Sequence, residues 1–178
     1  MRLPPIDHPP SLLLRILFWI SRRLFGRVLA PMRVLFPRLP GFVRPHFGML
    51  RYVERRLALP PRLRHLVEVR VSRLNGCAFC ADSHEWAGRR RGLPPSLFAA
   101  LDDPTNGALF DERERIALAY AEAVSRRRVD DALFARARAA FSERELTELT
   151  LVAAYTTYLN LMSTALALES DGLCSLPR

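Results

Sequence analysis

From Leu149 to Leu168 twenty consecutive residues carry no charge, and the segment just ahead of them, Ser142-Glu-Arg-Glu145, has the acceptor and the acid of a helix capping box. A stretch of that length has two outlets: it crosses a bilayer, or it is a helix buried on most of its sides. Thr150, Thr156, Thr157, Asn160, Ser163 and Thr164 keep it only moderately apolar. The reading is therefore the central helix of a bundle or an oligomer, reaching from the capping box to about Glu169.

The rest of the chain is punctuated for helices too. Asp111-Glu-Arg-Glu114 is a second capping box and opens a helix to about Arg128, and Asp130 or Asp131 caps another to Phe141. Upstream, helices are expected over Leu12–Ala30, His46–Leu57, Arg62–Leu74 and Cys77–Arg91, with a short one after Pro95-Ser96; prolines at 31, 37, 40 and 45 break the chain between the first two. No run of alternating β-branched residues calls for a strand. Only 8 of 178 residues are glycine, and Ala, Leu and Arg dominate, so the fold class is all-α. The organisation expected is a basic, Pro/Arg-rich extension over residues 1–40 with one amphipathic helix, followed by a helical domain over residues 41–178.

Charge follows the same division. Residues 1–65 hold 13 arginines against Asp7 and Glu54, a net +11, whereas residues 66–178 hold 14 arginines against 16 acids. Arg15, Arg22, Arg23, Arg27 and Arg33 interrupt the apolar stretch near the start, which excludes the core of a secretory signal. The expectation is a helix that docks on the oligomer by its apolar face and leaves its Arg face in solvent. A weak contact of residues 12–36 with an anionic membrane is the alternative, and no nucleic-acid role is expected.

Three cysteines, two of them spaced Cys-x-x-Cys, do not make a secreted disulfide framework; a cytoplasmic protein with a redox or metal pair is expected, and Cys174 reads as a stray thiol. Asn75-Gly76 is a good helix stop, so Cys77 and Cys80 fall in the first turn of the next helix, where free N–H groups and the helix dipole favour an anion. A thiol of ordinary pKa is about 3% thiolate at neutral pH, and the dipole alone is too weak to change that much. His84 lies four residues after Cys80 and seven after Cys77, on the same helix face, and can take the thiol proton. Three readings stay open on spacing: a redox pair in which Cys80 attacks and Cys77 closes a disulfide, a zinc site of Cys77, Cys80 and His84 with His65 as fourth ligand, and a structural cluster. The redox pair leads, and no cofactor is expected.

The string Leu-Asn-Gly-Cys-Ala-Phe-Cys-Ala-Asp-Ser-His, residues 74–84, resembles the signature of AhpD-like alkylhydroperoxidases in the carboxymuconolactone decarboxylase family. Pro60-Pro-Arg-Leu-Arg-His-Leu-Val-Glu resembles that family's lead-in helix, and Phe141 to Thr150, with Asn160 beyond, its closing helix. The resemblance implies an AhpD-like helical bundle that assembles into a homo-oligomer and reduces a peroxide substrate at the expense of a dithiol reductant. It gives Cys80 the peroxidatic role, Cys77 the resolving role and His84 the place of the family's histidine. The decarboxylase reaction that names the family does not rely on the cysteine pair and is not expected. The rival is a non-catalytic helical oligomer with a redox-sensing or structural pair.

One position departs from the pattern. Twelve residues before the first cysteine the family has a relay glutamate, and here stands His65; Glu68, three residues on, is turned some 60° around the axis and is no obvious replacement. His65 is thus expected to face the thiol pocket and to make activity depend on pH between about 6 and 8. Phe79, Trp86, Phe98 and Phe110 read as core or pocket lining, and the triplets Arg89-Arg-Arg91 and Arg126-Arg-Arg128 as solvated helix ends.

Overall fold

The computed structural model describes residues 1–103 and 109–175, and among these there is no strand. In chain order the helices are α1 (Leu12–Phe25), α2 (Ala30–Val34), α3 (Val43–Arg55), α4 (Pro61–Leu74), α5 (Ala78–Arg90), α6 (Pro95–Ala99), α7 (Glu112–Ser125), α8 (Asp131–Ala140) and α9 (Glu143–Ala165). Both expected capping boxes form, with Asp111 and Ser142 each accepting from the N–H three residues on and the glutamates answering back.

Three helix ends differ from the sequence reading. Helix α1 stops at Phe25 because Gly26 takes the left-handed conformation. Helix α3 begins at Val43, before Pro45, since a proline in a first turn gives up only an N–H that has no partner there. Helix α9 ends at Ala165, where Ala167 enters the left-handed region and the Leu168 N–H closes on the Ser163 carbonyl at 2.9 Å.

The core is organised on α4. Leu63, Leu66, Val67, Val69 and Val71 are buried around most of its circumference, against α5, α7 and α9. A helix covered on so many sides has nowhere to put polar groups, yet Arg64, His65, Glu68 and Ser72 are buried on it as well. Helix α9 carries a narrower buried stripe: Leu149, Val152, Ala153, Thr156, Asn160 and Ser163 face inward, while Leu161 is 64% exposed. Among the described residues no helix is long and apolar enough to cross a membrane.

The first 40 residues do not trail away from the domain. Leu14, Phe36 and Val43 make a second small core with Leu17, Met32, Leu35, Phe42 and Phe47. This unit is tied to the end of the chain: the Ala30 N–H donates to the Asp171 carboxylate at 2.8 Å, and the Arg27 guanidinium donates to the Asp171 carbonyl at 2.8 Å. Leu14, Phe18 and Ser21 are the buried face of α1; Arg15, Arg22 and Arg23 are exposed, and so are Leu12, Trp19 and Leu24.

The turn between α4 and α5 sets the place of the cysteines. Gly76 is left-handed (φ 67°), and the Cys77 N–H reaches back to the Ser72 carbonyl at 2.9 Å. The Asn75 side chain is held from two helices: its Nδ2 donates to Asn160 Oδ1 of α9 at 3.0 Å, and its Oδ1 accepts from Ser125 of α7 at 3.1 Å. Asn160 in turn donates to Ser72 Oγ at 3.2 Å. Every member of this small network has a partner, which is what makes such a buried network rigid.

Helices α4 and α5 touch closely at Gly88. A Cβ there would stand 2.5 Å from Cζ of the fully buried Phe98 and 3.4 Å from Cβ of His65. Replacing glycine by alanine in a helix ordinarily stabilises by up to about 1 kcal/mol, but here the methyl runs into the buried Phe98 ring of α6, at about 1–3 kcal/mol. Gly88→Ala is therefore expected to lower the urea midpoint of the reduced protein rather than raise it, and a raised midpoint would show that the Phe98 ring has room to move aside.

Candidate active site

Cys77 is the N-cap of α5, and its sulfur accepts from the Cys80 N–H at 3.2 Å. The two cysteines, with Cα atoms 5.3 Å apart, are joined as a disulfide across this first turn. Both are buried, and the Ser163 hydroxyl of α9 lies 3.6 Å from the Cys80 sulfur. A helix start of this kind stabilises the thiolate that appears when the bond is reduced.

Alongside lies a cleft of about 300 Å³. From α5 it is lined by Phe79, Cys80, Ser83, His84 and Trp86, from α9 by Tyr158, Met162 and Ser163, and from the N-terminal unit by residues between Phe25 and Phe47. Cys77 is not among its lining residues, so Cys80 is the sulfur on the open side of the pair. The sequence reading treated residues 1–40 as an extension; here they supply one wall of the cleft.

His84 lies one helical turn beyond Cys80, and its Nδ1 is 3.4 Å from Oε2 of Glu68 on α4. That carboxylate is 4% exposed. Burial works against its charge, but His84 beside it and hydrogen bonds from His65 and His84 outweigh burial and hold the carboxyl far below the usual carboxylate range. The Arg64 guanidinium stands 3.7 Å from the other oxygen.

His65 takes a different place from the one expected. It is fully buried and outside the cleft lining. Its Nε2 faces Nη1 of Arg91 at 2.8 Å and Nη2 of Arg64 at 3.2 Å, and its Nδ1 faces Glu68 at 3.0 Å. A guanidinium only donates, so Nε2 must accept and the ring proton must sit on Nδ1, where it donates to Glu68. The imidazole is thus a fixed strut behind the carboxylate, with no free nitrogen for a proton relay. Glu68 is the group that reaches His84. The 60° offset that seemed to remove it is spanned because α5 crosses α4 at this level, with Glu68 between His65 and His84.

Glu54 of α3 closes the network, accepting from Arg64 at 3.0 Å and from Arg91 at 2.6 Å. Arg91, just past the end of α5, is 43% exposed, as expected of a helix end, and also reaches Glu54 and His65. The zinc reading fares poorly on donor chemistry: the two sulfurs are bonded to each other and His65 is committed on both nitrogens. Glu54, His65 and Glu68 have donor atoms within 4.8 Å of one another, but Glu54 Oε2 and His65 Nε2 already face the guanidiniums of Arg64 and Arg91. Cys174 is held apart from the pair, its N–H donating to Asp82 at 2.9 Å and its thiol pushed up to about 12, by burial first and then by Asp82.

Because Glu68 is ionised more readily folded than unfolded, its contribution to stability is complete above the ordinary carboxyl value near 4.5 and is lost as pH falls below it. Glu68→Gln should destabilise the protein at pH 7 by about 3 kcal/mol, since it removes the charge that Arg64 and His84 face and leaves the buried Arg64 with Glu54 alone as counter-charge. The melting temperature of the variant should then fall less steeply than wild type between pH 5 and pH 3. Parallel slopes would mean that Glu68 is not charged in the folded protein.

The family model of the carboxymuconolactone decarboxylase family matches residues 47–123, which take in α4, the cysteine turn, α5 and Glu68. The uncharacterised protein YnjA of Escherichia coli strain K12 is 35% identical over 180 residues, spanning 99% of this chain and 98% of its own. Among solved structures, a protein of unknown function from Agrobacterium tumefaciens, ATU0492, likened to the antioxidant defence protein AhpD, superposes with a TM-score of 0.71 at 25% identity, over 76% of this chain and 94% of that one. A peroxidase-related protein from Ralstonia eutropha JMP134, described as an alkylhydroperoxidase AhpD core, gives 0.78 at 18% identity over 99% of this chain and all of its own. With the cysteine turn inside the matched segment and the helices superposing over nearly the whole chain, this protein belongs to the carboxymuconolactone decarboxylase family, among its AhpD-like members.

Proposed function

We propose that the protein is a cysteine-dependent peroxidase that reduces organic hydroperoxides, with Cys80 as attacking sulfur, Cys77 as its resolving partner and His84 as proton carrier. The observation that carries this reading is the order of groups from the cleft inward: Cys80 on the cleft, His84 one turn away, and the buried Glu68 carboxylate 3.4 Å behind it.

The steps follow from that order. In the reduced protein His84 takes the Cys80 proton, and the Glu68 carboxylate stabilises the imidazolium that results. The thiolate attacks the outer oxygen of the hydroperoxide; a sulfur–oxygen bond forms, the oxygen–oxygen bond breaks, and the departing alkoxide takes the proton from His84 to leave as an alcohol. Cys80 is then a sulfenic acid. Cys77, 5.3 Å away between Cα atoms, attacks that sulfur; the disulfide forms and hydroxide leaves, becoming water with the Cys77 proton. A dithiol returns two electrons and two protons and is itself oxidised to a disulfide. The disulfide present in the structure is the end state of this cycle.

Two further expectations belong to the reading. Assembly into a homo-oligomer is supported by the apolar side chains that one copy leaves in solvent, Leu12, Trp19, Leu24 and Leu161, each more than 60% exposed. A cytoplasmic setting, where dithiol reductants are available, suits the chemistry.

The test is consumption of tert-butyl hydroperoxide with dithiothreitol as reductant. Wild type should turn over. Cys80→Ser should be inert, and Cys77→Ser, given hydroperoxide without reductant, should consume one equivalent and stop with sulfenate on Cys80. His84→Gln should lose about 10²-fold or more in kcat/KM. Wild-type consumption no faster than Cys80→Ser would favour the rival, a pair that senses redox state or holds the fold.

A further inference from the structure

One hydroxyl stands against the Cys80 sulfur from the α9 side of the cleft. Ser163 is buried, lines the cleft beside Cys80, and its Oγ lies 3.6 Å from the sulfur. Among the described residues this is the one hydrogen bond made to that sulfur. Its direction follows from the chemistry: a sulfur joined to Cys77 carries no proton, so the hydroxyl is the donor. The usual outlet for a hydroxyl on a helix is the carbonyl one turn back, and Thr147, Thr150, Thr157 and Thr164 of α9 all donate there. The Ser163 hydroxyl does not; the sulfur is its partner. Bonds that do not involve sulfur hold it in that place. Asn160, one turn earlier on α9, donates to Ser72 Oγ at 3.2 Å and accepts from Asn75 at 3.0 Å, and Asn75 belongs to the turn that starts the cysteine helix. The register of α9 against that turn therefore persists when the disulfide is reduced.

We propose that Ser163 is a catalytic residue whose hydroxyl donates a hydrogen bond to the Cys80 thiolate and lowers the pKa of that thiol. The proposal rests on the reading of Cys80 as the attacking sulfur. Cys80 is 4% exposed, and burial by itself raises the pKa of a thiol because it disfavours the charged form. A hydroxyl aimed at the sulfur opposes that effect. The same hydroxyl can accept from a neutral Cys80 thiol, but S–H is a weak donor. A hydrogen bond to an anion is about twice as strong as one between neutral groups. The balance favours the thiolate. His84 takes the proton from the α5 side, and Ser163 steadies the charge left on the sulfur from the α9 side.

The test is the pH profile of Cys80 alkylation by iodoacetamide in reduced full-length protein carrying Cys77→Ser, which leaves one thiol of the pair and no coupled titration. Cys174, its thiol pushed up to about 12, titrates outside the range, and mass spectrometry assigns the label to Cys80. Adding Ser163→Ala removes only the hydroxyl and leaves a residue that suits a helix, so the fold is kept. The midpoint should rise by about one unit, a tenfold change in the ionisation constant. The plateau rate at high pH should rise about threefold, because a thiolate freed of the bond is more basic and more nucleophilic. Thr164→Ala, which removes the adjacent hydroxyl bonded to the Asn160 carbonyl, should leave midpoint and plateau unchanged. A midpoint that stays or falls with Ser163→Ala, a raised midpoint with a lowered plateau, or an equal shift with Thr164→Ala would each overturn the proposal. No hydroperoxide is present, so a failure here is distinct from a failure to consume peroxide.

Discussion

A carboxylate with no access to water survives only among groups that replace that water, and Glu68 is such a carboxylate. Arg64 compensates its charge from the same helix, His65 donates to it through Nδ1, and His84 approaches from α5. These commitments propagate. Once the His65 proton faces Glu68, Nε2 must accept, and the guanidiniums of Arg64 and Arg91 supply the donors. Two guanidiniums in one place need an acid of their own, and Glu54 of α3 provides it. A single buried charge thereby ties α3, α4 and the middle and C-terminal end of α5 into one arrangement.

The site takes its shape from that arrangement. The strongly held position of α5 is what brings Cys80 to the cleft and His84 to the carboxylate, and the tight turn at Asn75-Gly76 is what starts α5 at Cys77. The N-terminal unit then covers the open side of the cysteine helix, with the ring of Phe25 4.9 Å from that of Trp86. In chemical terms the molecule places an imidazole between a sulfur on the cleft and a buried anion, an order that suits generation of a thiolate away from bulk water.

Much of this was legible in the sequence, for reasons that can be named. Helix starts were readable because a capping box is a local device: Asp111 with Glu114 and Ser142 with Glu145 announce α7 and α9. The cysteine turn was readable for the same reason. What stayed hidden depends on pairs far apart in the chain. Glu54 and Arg91 lie 37 residues apart, and nothing local marks either one. Glu68 was set aside by counting degrees around α4 alone, whereas its partner comes from another helix. The His65 tautomer follows only from knowing that both neighbours of Nε2 are arginines. The N-terminal unit was readable as an amphipathic helix but not as a wall of the cleft, because its cleft-facing rings come from α2, α3 and the segments around them.

The central claim, that the Glu68 charge acts through His84 on Cys80, is open to one direct measurement: the rate of Cys80 alkylation by iodoacetamide as a function of pH, resolved by mass spectrometry, in reduced wild type and Glu68→Gln at a temperature where both are folded. An anion behind His84 favours the imidazolium, and the imidazolium favours the thiolate. Removing the anion should therefore move the profile to higher pH and slow alkylation at pH 7 by about tenfold, a change of about one pKa unit in the thiol. Coincident profiles for the two proteins would contradict the account and leave Glu68 a structural charge alone.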